Sequence, residues 1–160
     1  MSLSYDKDIV AIDTFSLEYL ALAQKITDKI SGCKRNYSFI LSDIESSCFD
    51  DQVFDLCFCL DSLEHVDHVG KSLKELKRAI RKGGTLIVSV PVEAPLLRVS
   101  RKILTLNGRL ANVNPHWNGE VKNYEEFETV LSGFFEILEA VFVPGSKLIA
   151  YDIFFACRNN

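Results

Sequence analysis

The chain has 160 residues, 48% hydrophobic and 25% charged, with a formal net charge of −4. This is an ordinary balance for a globular protein, and the length suffices for one domain with its own core. The acidic excess disfavours non-specific binding to nucleic acid, and no apolar run approaches the ~18–20 residues of a membrane span. Five cysteines, an odd number without metal spacing, read as reduced thiols of a cytoplasmic protein. The opening residues carry no secretory signal.

In chain order, residues 9–12 (IVAI) predict a short strand that ends at Asp13. Ser16 can cap the helix that follows, with Tyr19, Ala23, Ile26 and Ile30 as its buried stripe and Gly32 as its stop. An acid at the carboxyl end of a strand, here Asp13 with Thr14 beside it, can accept hydrogen bonds from ribose hydroxyls in nucleotide-binding α/β folds. It can equally cap the helix start. Tyr37–Leu41 reads as the next strand, and Asp43 after it reads as a turn residue. Residues 46–52 form a polar loop.

Phe54–Leu60 is an apolar run without alternation after Asp55, the pattern of a strand buried on both faces. Ligands in open α/β sheets sit beyond strand carboxyl ends, so Leu60 and Asp61 are expected to face a ligand. Cys57 and Cys59 share a face and read as core thiols rather than a metal pair. His65 and His68 have the spacing of two ligands on one helical turn, but no further ligand accompanies them. Val69, Leu73, Leu76 and Ile80 then make one helical stripe. Lys77, Arg78, Arg81 and Lys82 crowd its last turns, and Gly83-Gly84 is expected to stop it. Residues 85–90 are a second buried strand closed by Pro91. Two such strands around a helix make a right-handed crossover.

Beyond Pro91, Leu96, Val99, Ile103 and Leu106 suggest an amphipathic helix, followed by a loop with His116 and Trp117. Trp117 is either a substrate contact or a plug at the core edge. Asn123 and Glu126 have capping-box spacing. Tyr124, Phe127, Val130 and Leu131 form a helical stripe behind them. Residues 135–143 and 148–157 read as two strands joined by a Pro144-Gly145 turn, an antiparallel hairpin.

The wording of residues 54–91 (FDLCFCLDSLEHV, then LKELKRAIRKGG, then TLIVSVP) resembles class I S-adenosylmethionine-dependent methyltransferases, and within them the type 11 family. The match falls on Phe54, Asp55, Leu63, Glu64, His65, Val66, Glu75, Leu76, Arg78, Lys82, Gly83, Gly84 and Pro91. The resemblance implies an α/β fold: a Rossmann-like sheet with helices on both faces, mostly parallel, with an antiparallel C-terminal hairpin. It makes residues 1–160 one domain that lacks the family's first strand, first helix and glycine-rich loop. It implies S-adenosylmethionine as cofactor and a small-molecule methyl acceptor. Asp13 would hold the ribose, Thr14 would be a further cofactor-binding residue, and Asp43 and Ile44 would hold the adenine. Leu60 and Asp61 would line the methionine end or the substrate. Asp61, His65 or His116 could serve as a base, and no metal is required.

With the glycine-rich loop absent, weak cofactor binding is expected. The alternative function is an inactive methyltransferase-like remnant that serves as an interaction domain. A nicotinamide-dependent dehydrogenase ranks last, because no G-x-G-x-x-G is present. In the family the missing strand lies between two others, so its loss would bare sheet edges. Either residues 9–12 would then pair with Phe54–Leu60, or a second copy would cover the edge in a homodimer.

Overall fold

The computed structural model describes residues 9–14, 16–30, 37–92, 117 and 119–160. These fall into two compact units, Met1–Cys48 and Phe49–Asn160. The predicted helix around Leu96–Leu106, the Gly32 helix stop and His116 lie outside the described residues.

In the first unit, β1 (Ile9–Asp13) and β2 (Tyr37–Leu41) pair in parallel, from Ile9 opposite Tyr37 to Asp13 opposite Leu41. Between them runs α1 (Leu17–Ile30). Ser16 caps it as expected, its Oγ accepting from the Glu18 N–H at 3.0 Å. The buried face differs from the expected stripe. Leu20 is buried, whereas Tyr19 and Ile26 are exposed. The helix carries apolar residues on more than one face, Leu17 and Leu22 included, so spacing alone does not choose the face that packs.

The second unit opens on β3 (Phe54–Leu60), followed by a 3-10 turn at Leu63–His65. Then come α2 (Val69–Ala79), β4 (Ile80–Pro91), α3 (Tyr124–Phe134), β5 (Glu136–Val143) and β6 (Asp152–Arg158). Its four-stranded sheet has the order β3-β4-β6-β5. β3 and β4 are parallel, while β6 runs antiparallel to both of its neighbours. The last strand thus inserts between β4 and β5, as the resemblance implies. The sheet containing β1 and β2 is separate. The expected pairing of residues 9–12 with Phe54–Leu60 is therefore not formed.

The core of this unit lies between one face of the sheet and helices α2 and α3. Leu86, Val88 and Val90 of β4 and Ile153, Phe155 and Cys157 of β6 alternate onto that face and are buried. Leu73 and Leu76 of α2 and Phe127 and Leu131 of α3 close over them. The Phe127 ring stands 6.1 Å from Phe155 and 6.1 Å from Trp117. Trp117 thus packs at the core edge, the second of its two expected roles. β3 is an edge strand of its sheet, with Leu56, Phe58 and Leu60 exposed. Cys57 and Cys59 alternate to the less exposed side, and burial pushes their thiols up to about 11 and about 12.

Two junctions depart from expectation. The second helix ends at Ala79, before the glycine pair, because Asn159 intervenes. Its side-chain amide donates to the carbonyls of Lys77 at 2.9 Å and Ile80 at 2.7 Å, satisfying helix-end acceptors that Gly83 was expected to turn away. The glycines instead lie within β4 and pair with the chain beyond β6, the Gly83 N–H donating to the Asn159 carbonyl at 2.6 Å. At the hairpin, the connection occupies 144–151 rather than a two-residue turn. Its own hydrogen bonds, Ala150 N–H to Ser146 O at 2.9 Å and Tyr151 N–H to Val143 O at 2.8 Å, keep 148–151 out of the strand.

Candidate functional site

The first unit brings Asp13 and Asp43 to the same end of a two-stranded parallel sheet. Asp13 closes β1, and its backbone carbonyl accepts from the Ser42 N–H at 3.1 Å, which ties the two strand ends together. Asp13, Thr14 and Asp43 are exposed and Ile44 is half-buried. Asp43 also acts locally: its Oδ1 accepts from the Glu45 N–H at 2.9 Å and caps the 3-10 turn Ile44–Ser46. The turn-forming role read from sequence is therefore realised. The turn uses one carboxylate oxygen, and a carboxylate accepts on both.

The second unit places Leu60 and Asp61 at the carboxyl end of β3. Asp61 has φ +46, in the left-handed region that a non-glycine residue rarely enters. Ser89 of β4, which is fully buried, holds it there. The Asp61 N–H donates to Ser89 O at 3.2 Å and lies 3.1 Å from Ser89 Oγ. The Ser89 hydroxyl donates to Asp61 Oδ1 at 2.7 Å. Such local strain persists where surrounding structure over-determines it, and it clusters at ligand sites.

His65, a candidate base, is exposed and has Nε2 3.6 Å from Glu64 Oε1. His68 is engaged elsewhere, with Nδ1 3.1 Å from Glu120 Oε1. The two histidines share no acidic or thiol set, and no metal-holding group of three His, Cys, Asp or Glu occurs among the described residues.

Sequence reasoning gave Glu64 no role beyond the family match. It is only 3% exposed, and its Oε2 has no hydrogen-bond partner. Desolvation, with smaller contributions from Asp61 and Asp152, raises its carboxyl from 4.5 to about 7. Asp152, at the start of β6, is also pushed up by burial and by Asp61. The signal for this grouping is the strand register, not the sequence. Pro91 pairs with Asp152 and Leu60 with Ser89, so residues far apart in the chain meet at one end of the sheet.

Residues 2–88 match the family described as "Methyltransferase domain", type 11. The chain belongs to that family, whose general chemistry is transfer of a methyl group from S-adenosylmethionine. Solved structures agree in fold. A SAM-dependent methyltransferase from Aquifex aeolicus has a TM-score of 0.71 at 18% identity, with 98% of this chain and 71% of that one covered. One from Methanosarcina mazei has a TM-score of 0.68 at 17% identity, with coverages of 96% and 82%. Magnesium protoporphyrin IX methyltransferase from Synechocystis PCC 6803, solved with bound SAH, has a TM-score of 0.69 at 17% identity. There the alignment covers 94% of this chain and 64% of the other.

Proposed function

We propose that the chain, acting as a single methyltransferase domain, binds S-adenosylmethionine and passes its methyl group to a small-molecule acceptor. The observation that carries this reading is the pair of acids at adjacent ends of parallel strands, Asp13 and Asp43, in a chain of this family. Asp13, with Thr14, accepts from the ribose hydroxyls. Asp43 accepts from the adenine amine with the oxygen its turn does not use, and Ile44 covers the ring. Leu60 and Asp61 border the methionine portion and the acceptor. When bound, the cofactor supplies a methyl group on a sulfonium whose sulfur leaves as a neutral thioether. That leaving group needs no acid, so the protein's part is alignment and exclusion of water, where proximity accounts for most of the rate. Asp61 or His65 can take a proton from an acceptor oxygen or nitrogen. His116 is the third candidate for that role.

The described residues contain no helix long and apolar enough to cross a membrane. A homodimer that covers the exposed side chains of β3 would complete the edge of that sheet. The test is calorimetric titration with S-adenosylhomocysteine and, separately, with NADH. Weak but saturable binding of the first and none of the second is expected. Binding of NADH alone would overturn the reading in favour of a dehydrogenase, and binding of neither would favour an inactive interaction domain.

A further inference from the structure

We propose that two copies of the chain join through β3, edge to edge and antiparallel, with Phe58 on the two-fold axis. The inference rests on the homodimer of the reading above, to which it gives a surface and a register, and not on methyl transfer.

The strand reads the same in both directions. Residues 55–61 are DLCFCLD, a palindrome centred on Phe58. Two identical edges related by a two-fold axis across the sheet run antiparallel, each residue i meeting j as j meets i. With Phe58 on the axis, Phe58 meets Phe58, Leu56 meets Leu60, Cys57 meets Cys59 and Asp55 meets Asp61. Every apolar side chain then has an apolar partner of its own kind directly opposite, the unit of sheet stabilisation. An axis at Cys57 or Cys59 would break that identity and set one cysteine against itself.

The edge is open to such pairing. β3 is hydrogen-bonded within its sheet on one side only, to β4. The Asp61 N–H donates to Ser89 O of β4 at 3.2 Å. By the two-residue alternation of a strand, the backbone groups of Cys57 and Cys59 point the same way, and those of Leu56, Phe58 and Leu60 point outward. Pairing about Phe58 joins these three residues to the same three of the second copy and uses every outward N–H and C=O. Their side chains are also exposed, Phe58 at 66% and Leu56 and Leu60 at 48% each. Edge strands are commonly guarded by lysine, proline or a bulge. None of these falls between Leu56 and Leu60.

Charge at the two ends fits the same register. Asp61 of one copy falls opposite Asp55 of the other, and two acids alone would repel. Arg81 stands beside Asp55, its Nη1 donating to Oδ1 at 2.7 Å with about half of the side chain exposed. Its Nη2 holds no hydrogen bond among the described residues. A guanidinium has donors enough for two carboxylates, so each end sets one cation between two acids. A seven-residue strand covers less than the about 800 Å² per partner of a standard interface, so the dimer forms and dissociates with concentration.

Sedimentation equilibrium of the full chain over a concentration series tests the association. The mass is expected to rise from 18.1 kDa towards twice that value. The Phe58→Lys variant, checked for an unchanged fold by circular dichroism, is expected to stay at the single-chain mass. A parent that stays single at millimolar concentration overturns the homodimer and this pairing together. A folded Phe58→Lys protein that dimerises like the parent overturns the pairing.

The register is read without any variant, by isotope-filtered NMR on an equal mixture of carbon-13-labelled and unlabelled chain. Opposed Cα atoms of a pair that is not hydrogen-bonded lie about 4.5 Å apart. An intermolecular nuclear Overhauser effect between the α protons of Cys57 and Cys59 is therefore expected. A dimer that shows Cys57 against Cys57, Cys59 against Cys59, or no contact between the two strands keeps the homodimer and overturns this pairing. Neither readout involves S-adenosylhomocysteine, so failure of the methyl-transfer reading shows up separately.

Discussion

Glu64 is the residue at which charge and burial conflict most directly. Its carboxyl is raised from 4.5 to about 7, mainly by desolvation. Below about pH 4.5 both the folded and the unfolded chain hold the proton, and the group makes no difference to stability. Between there and about pH 7 the unfolded chain releases the proton and the folded chain keeps it, so stability falls as pH rises. Above that window the fold carries the full burden of a buried charge, up to about 3 kcal/mol. Glu64→Gln is therefore expected to be more stable than the parent near pH 8 and to lose that share of the pH dependence. Urea unfolding at about pH 5 and about pH 8 measures it; an identical pH slope in both proteins would contradict the account. At this scale the sequence was only partly legible. Asp13, Asp43 and Asp61 could be picked out because each follows an apolar strand. Glu64 could not, because its burial depends on α2 and the sheet closing around it, and no spacing records that. Asp152 was read as part of a strand for the same reason.

Among the elements, the junction of α2 and β4 depends on two small features. A Cβ on Gly84 would stand 2.7 Å from Ile80 Cγ2, 2.8 Å from the Arg81 carbonyl oxygen and 3.1 Å from the Asp55 carbonyl oxygen. The two oxygens are backbone and cannot swing aside, so Gly84→Ala is expected to cost about 1–3 kcal/mol. Asn159→Ala removes the donors that close the helix and is expected to cost about 1–2 kcal/mol. Because Ile80 is common to both contacts, the double variant should depart from additivity. Midpoints of urea denaturation test all three proteins, and neutral single variants would refute this role for the junction. The elements themselves were largely readable. Ser16, Asn123 with Glu126, and the stripe of α2 announced three helices, and Asn123 Oδ1 does accept from the Glu126 N–H at 2.9 Å. What the sequence hid was where α2 stops, since the residue that stops it lies about eighty positions later. The packed face of α1 was hidden too, because its apolar residues do not fall on one side.

For the whole molecule, family membership and strand order agree: parallel pairs lead to a C-terminal antiparallel insertion, and strand ends present acids. The central claim is that Asp13 and Asp43 hold the adenosine part of S-adenosylmethionine. Each acid would accept hydrogen bonds worth about 1.5–3 kcal/mol to a charged acceptor, roughly tenfold to a hundredfold in affinity. The most direct measurement is calorimetric titration of S-adenosylhomocysteine into the parent chain, Asp13→Ala, Asp43→Ala and the double variant, with circular dichroism to show that all are folded. The account predicts weak but saturable binding by the parent, a loss of about tenfold to a hundredfold in each single variant, and no detectable binding in the double variant. Equal affinity in the parent and the folded double variant would contradict it.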